Sequence, residues 1–573
     1  MFIPTTEQEV EGRGWDALDV IIVSGDTYID SYYNGAAVIG HWLIENGFRV
    51  GIIAQPDIGS EKDITRLGEP KLFWSVTSGC VDSMVSNYTP TNKRRRDDDF
   101  TPGGINDRRP DRACIAYSNL IKKHIKGRPI VLGGIEASLR RVAHYDAWTD
   151  SVRRSILLDS KADIITYGMA ELSNLELARR MRDGQSIEDV KGICYLGSVV
   201  PRGYEIMPSY ERCLDNKDDF ITAFKIFNEN FDPANAKGIS QQHGNRYLIQ
   251  NPPSRHVTSD ELDIIHSMEY ENRVHPYYLD QGDVKAAETI KNSITTHRGC
   301  YGQCSFCAIS VHQGRTVISR SEDSILKEAE RIASTPGFNG IINDVGGPTA
   351  NMYAIDCPTK GARGACKDRK CLFPKPCPKL LIDHSKQLSL LERIRQIPNV
   401  RKVHISSGIR HDMVVFDRIN GKRYVDAIVK DHVPGQLKIA PEHTSRRVLE
   451  LMGKSGPDVL LSFKEMFDTS NKEQGKKQFL TYYFMAAHPG CYMEDMEYMN
   501  EFIHRELKTN PEQVQIFTPT PSTVSTMMYH TRRDYNNQKD LKSEHSMQMK
   551  QKQKDIILMS KERRDAPGRR KAH

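Results

Sequence analysis

The stretch HRGCYGQCSFCAIS, residues 297–310, sets Cys300, Cys304 and Cys307 at the spacing C-x3-C-x2-C directly after a strand-forming run. Gly299 and Gly302 give the backbone freedom to wrap around a bound group. Three thiolates can hold three irons of a cubane and leave the fourth open to an outside ligand. A structural zinc ion takes four protein ligands instead, and His297 or His312 could complete that set. The spacing, with a strand before the loop and a helix after it, favours the iron–sulfur cluster.

Working outward, six strand candidates follow one another. They are NSITTHRG (292–299), NGIINDVGG (339–347), VRKVHISSG (400–408), GQLKIAP (435–441), QFLTYYFMAA (478–487) and EQVQIFTP (512–519). Helical patterns lie between them. Ser321 is placed to cap a helix that carries Ile325, Ala329 and Ile332 on one face and ends at Pro336-Gly337. Val459, Phe463, Met466 and Phe467 share the face of a later helix, and Met496, Met499, Ile503 and Leu507 that of another. Six βα units predict a partial (β/α)6 barrel over residues 285–533, with chemistry at the C-terminal ends of its strands.

Residues 1–196 read as a second, doubly wound α/β domain. DVIIVSG (19–25), a helix from Gly35, and RVGIIAQ (49–55) form a βαβ unit. Further strands are expected at KLFWSVTSG (71–79), ACIAYS (113–118), PIVLGG (129–134) and ADIITYG (162–168). Residues 197–284 read as a connecting region with some helix. Residues 534–573 read as a basic C-terminal tail, helical and then disordered. Glu136, Arg140, Arg141, His144 and Asp146 crowd the segment after PIVLGG, as an anion or substrate site or as a charged surface between domains.

The chain of 573 residues is too long for one ordinary core, and its formal charge of +6 implies no particular partner. The polar, acidic N-terminus does not read as a secretory leader. No apolar run approaches the ~20 residues that span a bilayer, so no membrane association is expected and a cytoplasmic location is. In a reducing compartment clustered cysteines signal metal or redox chemistry more often than disulfides. Seven of the twelve cysteines lie between Cys300 and Cys377. The second group, Cys357, Cys366, Cys371 and Cys377, is spaced C-x8-C-x4-C-x5-C in an insert (357–377) rich in Lys, Arg and Pro. Zinc and an auxiliary iron–sulfur cluster are both open for this group, with His384 as a further candidate ligand.

The first cysteine motif, with aromatic Phe306 before its third Cys, resembles the signature of the radical S-adenosylmethionine (SAM) superfamily. Further segments resemble the UPF0313 (YgiQ-type) family within it. These include SGDTYIDSYYNGAAVIG, VLGGIEASLRRVAHYDAW, VGGPTANMY, SSGIRHD, KIAPEH, AAHPGC and FTPTPSTVSTMMY, and the resemblance covers nearly the whole chain. It implies a [4Fe–4S] cluster on Cys300, Cys304 and Cys307 that cleaves SAM reductively to a 5′-deoxyadenosyl radical. The radical would act on a substrate that the family does not name. It also implies a low-potential electron donor.

Gly346 and Gly347 stand where such barrels contact the SAM amino group. Pro348 and Thr349 depart from the usual continuation, so any contact there would come from backbone carbonyls. Ser406, Ser407, Arg410, Glu442 and His443 end strands on the side that would face SAM or substrate. Arg410 could meet the SAM carboxylate or form a surface ion pair. The N-terminal domain is cobalamin-binding-like in layout, but Tyr32 stands where the cobalt-ligating His of Asp-x-His-x-x-Gly would be, between Asp30 and Gly35. Cobalamin is therefore not expected. Two alternatives stay open: a cobalamin-dependent radical SAM methyltransferase, and a non-catalytic, zinc-stabilised nucleic-acid-binding protein.

Overall fold

The structure, a computed structural model, describes residues 1–565. The end of the expected disordered basic tail, residues 566–573, lies outside the described residues. The chain folds as two compact units. The first comprises Met1–Lys291 with Val311–Gly314 and Thr520–Ser522, and the second takes the rest. Among the described residues no helix is long and apolar enough to cross a membrane.

The first unit is built on a nine-stranded sheet. Its strands are β1 (Val20–Ser24), β2 (Val50–Ala54), β3 (Phe73–Thr77), β4 (Ile130–Gly133), β5 (Ile164–Thr166), β6 (Ile193–Gly197), β7 (Glu205–Met207), β8 (Ile239–His243) and β9 (Arg246–Gln250). The spatial order is β7-β8-β9-β6-β5-β4-β3-β1-β2. The five parallel strands β2-β1-β3-β4-β5 form a doubly wound core, with the direction of winding reversing between β1 and β3. Central parallel strands are covered on both faces, so every residue of β1 is buried. Val20 and Ile22 pack with helices α1 (Gly35–Glu45) and α3 (Glu171–Arg182).

Two expectations change here. ACIAYS is the start of a helix, α2 (Ala113–His124), that buries Ala113, Cys114, Tyr117, Leu120 and Ile121. Its short apolar run suits either state, and the 3.6-residue spacing that decides the matter emerges only when Leu120 and Ile121 are included. Residues 197–284, read as a connection, contribute β7, β8 and β9 to this same sheet, with antiparallel pairings β5–β6, β6–β9 and β9–β8 and a parallel pairing of β8 with β7. Their polar residues masked the pattern because these strands lie towards the edge of the sheet.

The polar cluster after β4 is internal to this unit. Glu136 accepts from the backbone N–H of Ser83 (3.0 Å) and of Cys114 (3.1 Å). Arg140 pairs with Asp82, and Arg112 donates to Asp146 (2.6 Å). Arg141 is buried over the rings of Tyr167 and Phe227, 4.4 Å from each centroid. Deeper still, Arg109 donates to Asp26 (2.6 Å) and to Asp98 (3.0 Å), with all three side chains excluded from solvent.

The second unit carries the barrel. Strand one is β10 (Ser293–Thr295). Strand two is split into β11 (Ile341–Ile342) and β12 (Asp344–Gly346). The others are β13 (Lys402–Val403), β14 (Gln436–Glu442), β15 (Phe479–Ala486) and β16 (Gln513–Ile516). Parallel pairings run β10–β12, β11–β13, β14–β15 and β15–β16, and an isolated Ile409–Ile439 bridge joins strand three to strand four. Among the described residues no pairing closes strand six onto strand one, so the barrel is open.

The helices follow the sequence pattern. Ser321 caps α4 (Glu322–Ala333) through its hydroxyl, which accepts from Ser324 N–H at 3.2 Å. Phe463 and Phe467 of α5 (Pro457–Glu473), and Met496 and Met499 of α6 (Met493–Phe502), are buried against Ile342, Val403, Leu437 and Phe484 of the strands. Each such side chain contributes about 1.5–3 kcal/mol of burial energy. The C-terminal helix α7 (Met547–Asp565) packs on β15, β16 and α6 and adds Ile557 to this core. Its Gln553 accepts from Ala487 N–H at 2.8 Å.

Replacing Arg109 with Met leaves Asp26 and Asp98 as uncompensated carboxylates in the interior of the first unit. Loss of one partner from such a buried set costs about 3–5 kcal/mol. The urea midpoint of the first unit should fall accordingly, and an unchanged midpoint would refute this assignment.

Candidate metal centre

The loop that carries the three cysteines is pinned at both ends. His297–Arg298 pairs antiparallel with Ile318–Ser319, which closes the intervening chain into a hairpin-like excursion beyond strand one. Gly299 has φ +81°, and a Cβ there would stand 2.0 Å from the Thr316 carbonyl oxygen. Gly302 does not need a left-handed backbone but needs space. Its Cβ would meet Arg410 Nη1 at 2.7 Å and Cys300 Sγ at 3.2 Å. The middle of the loop is tied to the barrel by Ser305, whose N–H donates to Met452 O (2.9 Å) and whose carbonyl accepts from Ser525 N–H (2.8 Å). Phe306 lies edge-on to the buried ring of His488, with centroids 6.3 Å apart.

The three thiols lie within electrostatic reach of one another. Burial, with Cys304 beside it, raises the Cys300 thiol above its ordinary value, and burial with both neighbours pushes Cys307 up to about 12. A cation bound here would displace the thiol protons. The positive charge already present is Arg410, which is 7 % exposed and so not at the surface. Its Nη1 donates to Cys304 Sγ at 3.3 Å, while Nε donates to Asp412 at 2.9 Å and Nη2 to the second oxygen of the same carboxylate. The guanidinium edge that a bidentate SAM carboxylate would use is thus taken by Asp412.

Arg410 is also fixed through its backbone. Its N–H donates to Asn351 Oδ1 (2.7 Å), and Asn351 Nδ2 donates to its carbonyl (3.1 Å). That pairing orients the amide so that Nδ2 also donates to His384 Nε2 (3.2 Å), leaving His384 Nδ1–H to donate to Asp417 (2.8 Å). Both ring nitrogens of His384 are therefore engaged away from the second cysteine group. Burial raises the Asp417 carboxyl, but the hydrogen bonds from His384 and the Asn420 backbone outweigh it and hold Asp417 at about 2.

The other expected residues divide. The Gly346 carbonyl already accepts from Thr296 N–H (2.7 Å) and Oγ1 (3.0 Å), so this carbonyl is taken up within the barrel. A Cβ on Gly347 would run into the His297 ring at 2.6 Å. His297 is buried, burial pulls it down to about 4, and its Nε2 has no partner among the described residues. Ser406 donates to Asn343 O (2.6 Å) and, through N–H, to Asp344 (2.8 Å), so it ties strand three to strand two. Ser407 binds the same Asp344. Glu442 ends β14 at a register shift with φ +69°, 3.8 Å from Lys454 Nζ, and burial raises its carboxyl. A non-glycine residue held at positive φ marks local strain. His443 is buried with Nε2 3.6 Å from Cys491 Sγ. His312 belongs to the first unit, where its Nδ1 lies 3.2 Å from Ser138 Oγ.

The cysteine insert packs against the first cysteine loop. Cys357, Cys371 and Leu372 share a small core with Tyr301, and Cys300 and Cys377 lie beside it. Gln303 Nε2 donates to Cys371 Sγ (3.6 Å), Lys370 Nζ to Ser305 Oγ (3.0 Å), and Lys360 Nζ stands 4.9 Å from the Tyr301 ring centre. Burial lowers Lys370 to about 8 despite the opposing effect of Cys304. Sequence reasoning missed Asn351, Asp412, Lys370 and Asp344. Of these only Asp412, two residues after Arg410 in SSGIRHD, left a local signal.

Residues 2–293 match the sequence profile described as Radical SAM N-terminal. The fold is that of a radical SAM methyltransferase, TsrM from Kitasatospora setae, solved with tryptophan and a SAM analogue bound. The superposition has a TM-score of 0.50 at 13 % identity and covers 88 % of this chain and 74 % of that one. Profile and fold together define a radical SAM class protein. At the level of sequence, a UPF0313 protein of Fusobacterium nucleatum is 54 % identical across 98 % of this chain and all of its own length. UPF0313 proteins of Thermotoga maritima (46 %, covering 99 % of this chain and 100 % of that one) and Methanocella arvoryzae (44 %, covering 92 % and 88 %) are similar as well. The chain belongs to the UPF0313 family.

The Asp417 carboxyl sits lower folded than the ~3.9 of an unfolded Asp. Its contribution is therefore present above about pH 4 and lost as the pH falls through about 2. Urea midpoints of the wild type and Asp417→Asn should differ at pH 7 and converge as the pH falls towards 2. A difference that does not shrink with pH would rule out the His384–Asp417 bond as its source.

Proposed function

We propose that Cys300, Cys304 and Cys307 hold a [4Fe–4S] cluster with SAM at the open iron, and that the chain is a radical SAM enzyme of a reaction not yet assigned. The observation that carries this reading is the set of three mutually close thiols at the end of strand one, with the Arg410 guanidinium on the sulfur of Cys304. Among the described residues no three His, Cys, Asp or Glu side chains are arranged for one metal ion. A cubane does not require such convergence, because each thiolate binds its own iron. When bound, this pair of groups supplies reductive cleavage of SAM to methionine and a 5′-deoxyadenosyl radical.

The chain's own residues then have distinct tasks. Arg410 places positive charge and a hydrogen bond at the sulfur of Cys304, and such a bond would tune the reduction of a cluster held there. Asp412 and Asn351 hold Arg410 in place, and with the Gly346 carbonyl taken the backbone of Gly347 would meet SAM. Glu442 and Lys454 line the end of strand four, where SAM or substrate would sit. The free thiols suit a reducing, cytosolic setting. Substrate and a low-potential electron donor complete the partners.

The TsrM fold has also been solved with cobalamin, and the first unit of this chain shares the layout without the fit. Tyr32 is buried among the rings of Tyr33, His266 and Tyr270. Asp30 is occupied by Tyr28, His41 and the Glu271 N–H. At the switch point, a Cβ on Gly25 would stand 2.3 Å from Ser78 O and one on Gly79 would stand 2.2 Å from the Asp26 carboxyl group. These close approaches support a crevice filled by the chain itself, so no step here runs through cobalamin. Sharing a fold without its cofactor is a frequent outcome.

Anaerobic reconstitution should load about four irons at this site, with an EPR signal of the reduced protein that changes on adding SAM, and 5′-deoxyadenosine should be released. Cys300→Ala, Cys304→Ala and Cys307→Ala should each abolish both responses. Zinc without iron, together with salt-dependent RNA affinity, would overturn the reading in favour of a nucleic-acid-binding protein. Added hydroxocobalamin should leave the visible spectrum of the desalted protein free of a corrin band, and a retained stoichiometric band would restore the cobalamin-dependent alternative.

A further inference from the structure

We infer that Cys357, Cys366, Cys371 and Cys377 hold a second iron–sulfur cluster, fully ligated by protein, that relays electrons to the first cysteine site. This rests on the reading of Cys300, Cys304 and Cys307 given above.

The argument begins with charge. Residues 357–379 carry seven cations and one carboxylate, Asp368. Such a segment repels itself, and beyond the short helix Pro358–Arg363 it forms no helix or strand before Ser385. Its buried apolar side chains are few, so packing alone offers little to order it, and small units of this kind usually need a metal or a disulfide. All four cysteines are free thiols. Four thiolates on a metal centre would supply the negative charge that the segment lacks.

The cations are aimed at sulfur. Arg369 Nη1 donates to Cys377 Sγ at 3.6 Å, and Lys360 hydrogen-bonds the thiol of Cys371. Cys371 is within electrostatic reach of Cys357 and Cys366, and Arg369 is within reach of Cys366 and Cys377. Cys357 and Cys371 pack in one small core with Cys377 beside it and Cys366 within electrostatic reach, and N–H donors are directed at the sulfurs of Cys371 and Cys377, as in iron–sulfur sites.

The choice between zinc and a cluster follows from spacing. One zinc ion draws its sulfurs to about 2.3 Å from a single point. Among the described residues no group of three is so arranged, and the first cysteine site shares that property. The two cysteine groups are alike in this, and the cluster reading of the first extends to the second, whose thiolates would each bind a separate iron. Tyr301 and Gln303 fill the space between the two cysteine groups, which places the second site next to the first. In the relay, a low-potential one-electron protein carrier gives one electron to the second cluster, which passes it to the first. The carrier is oxidised by one electron, the first cluster is reduced by one, the second returns to its starting state, and no bond or proton is exchanged.

The test uses full-length protein loaded anaerobically with iron and sulfide. Wild type should hold about eight irons, and the Cys300→Ala/Cys304→Ala/Cys307→Ala variant about four, with an EPR signal indifferent to SAM. Cys366→Ser/Cys377→Ser spares the two buried thiols of the insert. It should lose half the iron and keep the SAM-sensitive signal. Its first cluster should be reduced normally by dithionite but several-fold more slowly by a ferredoxin-type carrier. The second cluster is refuted if wild type holds only about four irons and the triple variant none, or if the site carries one zinc that the double variant loses. Unchanged carrier-driven reduction in the double variant would refute the relay. Failure of the first-site reading looks different, because the triple variant would then keep the full iron content of the wild type. Should the double variant not fold, the iron content of the wild type and triple variant decides.

Discussion

A guanidinium buried at the mouth of the barrel has to be surrounded by negative or accepting groups, and that requirement organises the second unit. Arg410 satisfies it with the Asp412 carboxylate and the Cys304 sulfur, and its backbone is locked by Asn351. Each of these comes from a different part of the chain: the loop after strand one, the segment after strand two, and the turn after strand three. An unpaired buried cation would cost several kcal/mol, so these segments are held together in one arrangement. The His384–Asp417 pair extends the same network outward to the helices.

The cysteine insert depends on that arrangement. It reaches the first cysteine loop through Tyr301, Gln303 and Ser305, three residues set between or beside the thiols. A displacement of the loop would disturb both cysteine groups together. Lys370, half-buried and lowered to about 8, adds a cation close to Cys304 that forms no ion pair with a carboxylate among the described residues. The cations set around sulfur oppose the burial that raises the Cys300 and Cys371 thiols, and would balance the charge of anionic clusters bound there.

The first unit shows the converse relation of fold to site. Its five parallel strands have the winding and the switch point at which such sheets bind nucleotides and cofactors. Here the loops after β1 and β3 close on each other, and Arg109 bridges Asp26 and Asp98 beneath them. The polar groups that would meet a ligand are paired with one another. The same holds for Glu136, Arg140 and Asp146, which resemble an anion site in sequence and act as internal ties in the fold.

The three-cysteine loop, the six barrel strands, the Ser321 cap and the Met and Phe faces of the later helices were all legible in the sequence. Each depends on neighbours a few residues apart, and spacing, periodicity and capping record such relations directly. ACIAYS and the strands β7, β8 and β9 were misread because short or polar segments lack that record. The tertiary structure alone decided which partners the charged residues choose. It turned Arg410 inward to Cys304, gave His384 to Asp417 and Asn351, spent Ser406 on strand two, and folded the second cysteine group against the first. The reason is physical: the low dielectric of the interior makes each buried charge find a partner, and that partner is set by which segments the sheet brings together, not by their distance along the chain.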